Sequence, residues 1–127
     1  TLESGSVTSA TGASGGGQIL VGTTAAKPDA TTPLAKTVHV KTNALVDASA
    51  TQSGHGGTVA IWSSQTTTVA GVLQAKGGAA SGNGGHIETS SSGQVIYGAS
   101  LVVDTSAAKG QAGVWSTDPV AWHDADF

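Results

Sequence analysis

The sequence predicts an all-β protein, a right-handed parallel β-helix (solenoid) of about four turns with 28-residue repeats and one inserted loop. Three observations carry that expectation. The segment Gly56-Gly57-Thr-Val-Ala-Ile-Trp62 recurs 28 residues on as Gly84-Gly85-His-Ile-Glu-Thr-Ser90, and again at Ala112-Gly113-Val-Trp115. Self-similarity at a fixed period marks a repeat architecture. Apolar residues come in short runs, with period-two alternation in Thr37-Val-His-Val40 and no sustained helical periodicity. Finally, 19 glycines stand among many Ser and Thr residues, a density of poor helix formers that disfavours helices.

Taken in order, residues 1–15 are low in complexity, and repeat phase places Val7 with Ala75 and Val103 at the end of an earlier turn. A further Gly-Gly start, Gly16-Gly17-Gln-Ile-Leu-Val21, lies 40 residues before Gly56, so about a dozen residues are inserted. Pro28 and Pro33 put that loop at 23–35. Extended segments then follow at 37–40, 45–49, after Gly57, at 66–69 and 71–75, after Gly85, and at 94–97 and 101–104. Each repeat thus has three strands and three corners.

Stacked repeats bring equivalent residues into columns. One is expected to hold Ile19, Val59, Ile87 and Trp115; a second Val21, Ile61, Thr89 and Thr117; a third Leu45, Leu73 and Leu101. Residues i and i+2 of a strand share a face, so the first two columns can both point inward. The pairs Gly56-Gly57, Gly77-Gly78 and Gly84-Gly85 are expected to supply positive φ at the corners. The repeat domain covers residues 1–119. The tail 120–127 follows Pro119 and breaks the repeat; it reads as a cap, the start of another domain, or a strand added to a neighbouring subunit. Asn83-Gly84 is a hairpin signal, so an antiparallel sandwich is the competing architecture. The fixed spacing disfavours it.

Composition narrows the function. A net charge of −3, with five lysines and no arginine, offers no basic patch for a nucleic-acid backbone. No apolar run approaches the ~20 residues of a membrane-spanning helix. With no cysteine, disulfides say nothing about compartment. Small charge and regularly spaced Val, Ile and Leu argue against disorder.

Two segments, Gly82-Asn-Gly-Gly-His-Ile-Glu-Thr-Ser90 and Gly98–Pro119 with its Val114-Trp-Ser-Thr-Asp-Pro119 ending, resemble the repeat region of filamentous-haemagglutinin-like exoproteins. In that family a Gly-Gly-aromatic-Val-Glu-Thr-Ser segment and a Gly-Thr-Trp-x-x-Asp-Pro segment close the coil. Here His86-Ile87 stands in place of the aromatic and Val, and Val114-Trp115 in place of Thr-Trp. The resemblance covers roughly Gly56–Pro119. It implies a β-helical adhesin exported by two-partner secretion to the surface of, or away from, a Gram-negative bacterium. It also implies a filament-like structural role in cell adhesion, a host or matrix glycan or protein receptor, no cofactor and no catalysis. The family's amino-terminal secretion domain is not recognisable in this sequence.

Sites of chemistry are sparse. The acidic residues are Glu3, Asp29, Asp47, Glu88, Asp104, Asp118, Asp124 and Asp126. Glycoside cleavage needs two carboxylates facing one groove. Glu88, however, aligns with Ala60 and Leu20, while Asp47 and Asp104 are expected one repeat position out of phase. His39, His55, His86 and His123 are scattered without metal-ligand spacing. No glycine run leads into a helix to cradle phosphate. Trp115 is expected inside the coil. Trp62, aligned with Ser90 and Gly22, is expected on the surface, where it and Tyr97 could contact a sugar; the alternative is that Trp62 lies against a corner or the inserted loop. Trp122 and Phe127 are the tail's candidate contacts.

The sequence therefore favours a non-catalytic structural or adhesive scaffold. One alternative is a fibre subunit that self-associates through open coil ends or its tail. Another is a carbohydrate-binding or carbohydrate-cleaving β-helix using Trp62, Tyr97 and the loop 23–35.

Overall fold

A computed structural model of the chain describes residues 1–119. These are all-β, with no helix. Eleven strands run in order: β1 (Val7–Ser9), β2 (Gln18–Val21), β3 (Thr37–Val40), β4 (Leu45–Asp47), β5 (Thr58–Ile61), β6 (Thr66–Val69), β7 (Val72–Gln74), β8 (His86–Ser91), β9 (Gln94–Tyr97), β10 (Val102–Asp104) and β11 (Val114–Pro119). They form three sheets, ordered β1-β4-β7-β10, β2-β5-β8-β11 and β3-β6-β9. All eight strand pairings are parallel. The chain passes through the three sheets in fixed rotation, so each strand lies beside the one three elements earlier. Parallel neighbours joined by long connections exclude the hairpin-built sandwich. The antiparallel contact Thr23↔Leu34 is local and closes the base of the inserted loop.

The interior is built from the inward columns. Ile19 pairs with Val59, Val59 with Ile87, and Ile87 with Trp115. Two residues along, Val21, Ile61, Thr89 and Thr117 align in the same way. Val59, Ile61 and Ile87 are fully buried, as are Val40, Val46, Val69 and Leu73 from the other two sheets. Each such aliphatic contributes roughly 1.5–3 kcal/mol by leaving water. Several polar residues in the interior are hydrogen-bonded to one another. At one corner Ser63 Oγ lies 2.8 Å from both Thr67 Oγ1 and Ser91 Oγ, and Thr67 donates to the Ser90 carbonyl at 2.8 Å. All four residues are buried, and the shared hydroxyls remove the cost of leaving them unpaired.

Three expectations are corrected. Leu45, Leu73 and Leu101 do not form a column. Leu73 pairs with Val46 and Val103, Leu45 pairs with Val7 and Val72, and Leu101 falls outside β10. Val7 accordingly belongs with Leu45, Val72 and Val102 rather than with Ala75 and Val103. The cause is corner length. Residues 41–44 join β3 to β4 and 98–101 join β9 to β10, whereas only Ala70-Gly71 joins β6 to β7. Two residues fewer at that corner shift β7 against a strict 28-residue phase. The short corner is tight: a Cβ on Gly71 would lie 2.5 Å from the Ala44 carbonyl oxygen.

Secondly, the glycine pairs do not supply positive φ, which occurs instead at Gly5, Gly15, Gly22, Gly54 and Gly82 and at Asn43. Gly57, Gly85 and Gly113 serve close approach: a Cβ on Gly85 would sit 2.0 Å from the Gly57 carbonyl oxygen, and one on Gly113 would sit 1.9 Å from that of Gly85. Thirdly, Trp115 keeps its column but is 45% exposed. It lies on β11, the outermost strand of its sheet among the described residues.

Leu73→Ala should cost about 2–5 kcal/mol by urea unfolding, and Leu101→Ala, at a half-buried position, less than half as much. Equal losses would restore the strict leucine column. Gly85→Ala should cost about 3 kcal/mol, because the carbonyl it meets is backbone and cannot swing aside. A loss below ~0.5 kcal/mol would show that the circuits are not so closely apposed.

Candidate functional site

The inserted loop departs from the repeat, and it is held by its own polar contacts. Its base is held by the Thr23↔Leu34 bridge and by the Ala35 amide donating to the Gly22 carbonyl at 2.9 Å. At its tip, Asp29 Oδ1 accepts from the Thr31 amide at 2.8 Å, the Thr31 hydroxyl at 2.6 Å and the Thr32 hydroxyl at 3.3 Å. The Thr31 hydroxyl first, and then its amide, hold the Asp29 carboxyl below the usual carboxylate range. Such side-chain bonds to amides two residues on are how Asp builds turns.

Trp62 lies against this loop. It is 6% exposed, which corrects the expectation of a surface ring and agrees with the alternative that it lies against the inserted loop. The equivalent positions in the neighbouring circuits are Gly22 and Ser90, and the loop residues Pro28, Asp29, Ala30 and Leu34 lie beside the indole. Between loop and indole remains a pocket of about 360 Å³ lined by Pro28, Asp29, Ala30, Leu34, Trp62 and Ser92.

Tyr97 and Trp115 meet at the other candidate surface. Their rings pack edge to face at 5.7 Å and 80°, an arrangement that aromatic quadrupoles favour. Trp115 Nε1–H donates to Thr89 Oγ1 at 3.1 Å, Thr117 Oγ1 donates to the Thr89 carbonyl at 2.8 Å, and the Tyr97 hydroxyl donates to Thr117 Oγ1. Threonines of two circuits therefore fix both rings. Ile96, Tyr97, Val102, Val114 and Trp115 are all exposed and lie on β9, β10 and β11, the outermost described strands of the three sheets.

The structure does not gather the acidic residues. Asp47 and Asp104 share one column, with Gln74 between them. This corrects the expected phase mismatch and has the same cause as the leucine shift. Each builds its own turn: Asp47 Oδ1 accepts the Ser49 amide at 3.0 Å, and Asp104 Oδ1 the Ser106 amide at 2.9 Å. Glu88 accepts from Ser90 Oγ at 2.9 Å, and Glu3 forms an exposed ion pair with Lys41 at 2.8 Å. Among the described residues no three His, Asp or Glu side chains are grouped to hold a metal ion. No helix there is long and apolar enough to cross a membrane. Trp122, His123 and Phe127 lie outside the described residues.

One polar ladder escaped the sequence reading. His55 Nδ1 accepts the Asn83 amide at 2.9 Å, and Asn83 Oδ1 accepts the Gln111 amide at 3.0 Å. The signal was present, since these residues follow each other at 28, but a histidine and an asparagine concealed the shared acceptor role of their side chains. His86 Nε2 lies 3.2 Å from Ser116 Oγ on the adjacent circuit, again a bond between repeats. The sequence matches no protein-family model and no curated protein.

Asp104 gives the fold a pH dependence of predictable sign. The Ser106 side chain first, and then its amide, hold the Asp104 carboxyl below its usual range. Its contribution is present at neutral pH, above the unfolded value, and is lost as pH falls through the folded value. Asp104→Asn should flatten the decline of the urea midpoint below the ordinary carboxylate value of 3.8. An unchanged acid slope would assign that decline to other carboxylates.

Proposed function

We propose that the chain is a stretch of right-handed parallel β-helix acting as a structural, adhesive scaffold of a secreted or cell-surface bacterial filamentous adhesin. The observation that carries this reading is the rotation of the chain through three in-register parallel sheets around a continuous aliphatic interior. Hydrogen bonds between successive circuits recur along the described coil, and His55, Asp47 and Asp104 are engaged in such bonds or in turns. Such a coil resists bending because each circuit's amides bond to the next. The resemblance of Gly56–Pro119 to two-partner-secretion exoproteins supports the surface location and the attachment role.

A stacked scaffold tolerates removal of one whole circuit, since the ends then meet in phase. Deleting residues 56–83 removes β5, β6 and β7 and brings β8 onto β2. The shortened chain should fold cooperatively, with strand content reduced in proportion. Collapse to an unfolded chain would contradict the repeat scaffold. For attachment, beads coated with the chain should be retained on immobilised matrix protein or glycan. Release of sugar from a polysaccharide by the purified chain would replace the scaffold with the carbohydrate-cleaving alternative.

A second reading has its own observation. Five exposed apolar side chains on β9, β10 and β11, the outermost strands of the three sheets among the described residues, form a surface on which another copy could stack. Sedimentation velocity should then show association rising with concentration and weakening in Val114→Lys. A single monomeric species throughout would remove this reading.

A further inference from the structure

The pocket beneath the inserted loop is independent of the scaffold reading and has a chemistry of its own. Pro28, Ala30, Leu34 and the Trp62 indole make its walls apolar, while Asp29 and Ser92 are its polar members. Asp29 presents its carboxylate in a fixed orientation, because three hydrogen bonds converge on Oδ1. The second oxygen, Oδ2, has no hydrogen-bond partner and Asp29 no ion pair among the described residues. The Ser92 hydroxyl is likewise unengaged among them, the Ser92 amide being the group that bonds to the Ser63 carbonyl. An apolar recess with one oriented, unneutralised carboxylate complements a ligand with an apolar body and a positive end. Its volume of about 360 Å³ is in the range of small-molecule sites.

We propose that the inserted loop and Trp62 form a binding pocket for a primary ammonium group carried on an apolar stem or ring, with Asp29 Oδ2 accepting from the ammonium. The apolar body lies against Leu34, Pro28 and the indole. Both a free amine and a lysine side chain of a partner protein carry this chemistry. The loop then has a role that covering Trp62 alone does not require: it places Asp29 in the lining of the recess.

The test is a titration of the ¹⁵N-labelled chain with cyclohexylamine, Nα-acetyl-lysine amide and the neutral comparator cyclohexanol, following the Trp62 indole N–H and the Asp29 and Ala30 amides by NMR. Cyclohexylamine should give saturable shifts at these positions, and cyclohexanol should bind roughly fivefold more weakly. Asp29→Asn should weaken the amine by a similar factor. Ala30→Leu, which narrows the pocket without touching the carboxylate, should weaken both ligands. Comparable affinity for the lysine derivative supports the lysine source, and binding of cyclohexylamine alone supports a free amine. Absence of saturable shifts, equal affinity for amine and alcohol, or titrations unaffected by both substitutions would overturn the proposal.

Discussion

The backbone spacing between successive circuits, about 4.8 Å in a parallel sheet, is the constraint on which everything else in this structure depends. At that distance amides find carbonyls on the neighbouring circuit, and side chains of one column lie directly above and below one another. The glycines at positions 57, 85 and 113 are there because their carbonyls and α-carbons approach too closely for a Cβ. The same spacing forces polar groups inside the coil to be satisfied vertically, as Ser63 is by Ser91. Residue choice is therefore set less by local propensity than by what sits one circuit away.

Much of this was legible from sequence because the constraint writes itself as a period. Two of the three core columns, those through Val59 and Ile61, could be placed by the 28-residue spacing. The third could not. Its register depends on a corner two residues shorter than its counterparts, and Ala70-Gly71 looks no different from other small-residue stretches. Leucines recurring at 45, 73 and 101 suggested a column that the corner breaks. The glycine pairs were recognised as corners but for the wrong reason, since sequence cannot separate a need for positive φ from a need for no side chain. Gly22 and Gly82 show that the first need exists in this fold, at other positions.

The candidate sites were harder to read because they arise from departures from the period. Trp62 occupies a position filled by Gly22 and Ser90 elsewhere, which marks it as unusual without saying whether it is covered. Its burial follows from an insertion about 30 residues upstream in the chain, and proximity of that kind is set by coiling. The loop's own order rests on Asp29 and two threonines, a turn signal visible in Asp-Ala-Thr-Thr but unconnected in sequence to any pocket. The edge-to-face pair of Tyr97 and Trp115 likewise joins residues of different sheets. The periodic scaffold was readable in the repeat, whereas the places where function can reside required the coordinates.

The stacking register itself is tested most directly by backbone nuclear Overhauser contacts in the unmodified chain. Contacts are predicted between Val59 and Ile87, Thr67 and Val95, and Val46 and Leu73, with the pattern of parallel strands. Contacts joining Leu45 to Leu73 and Leu73 to Leu101, or the cross-strand Hα–Hα pattern of antiparallel neighbours, would contradict the architecture from which every functional conclusion above is drawn.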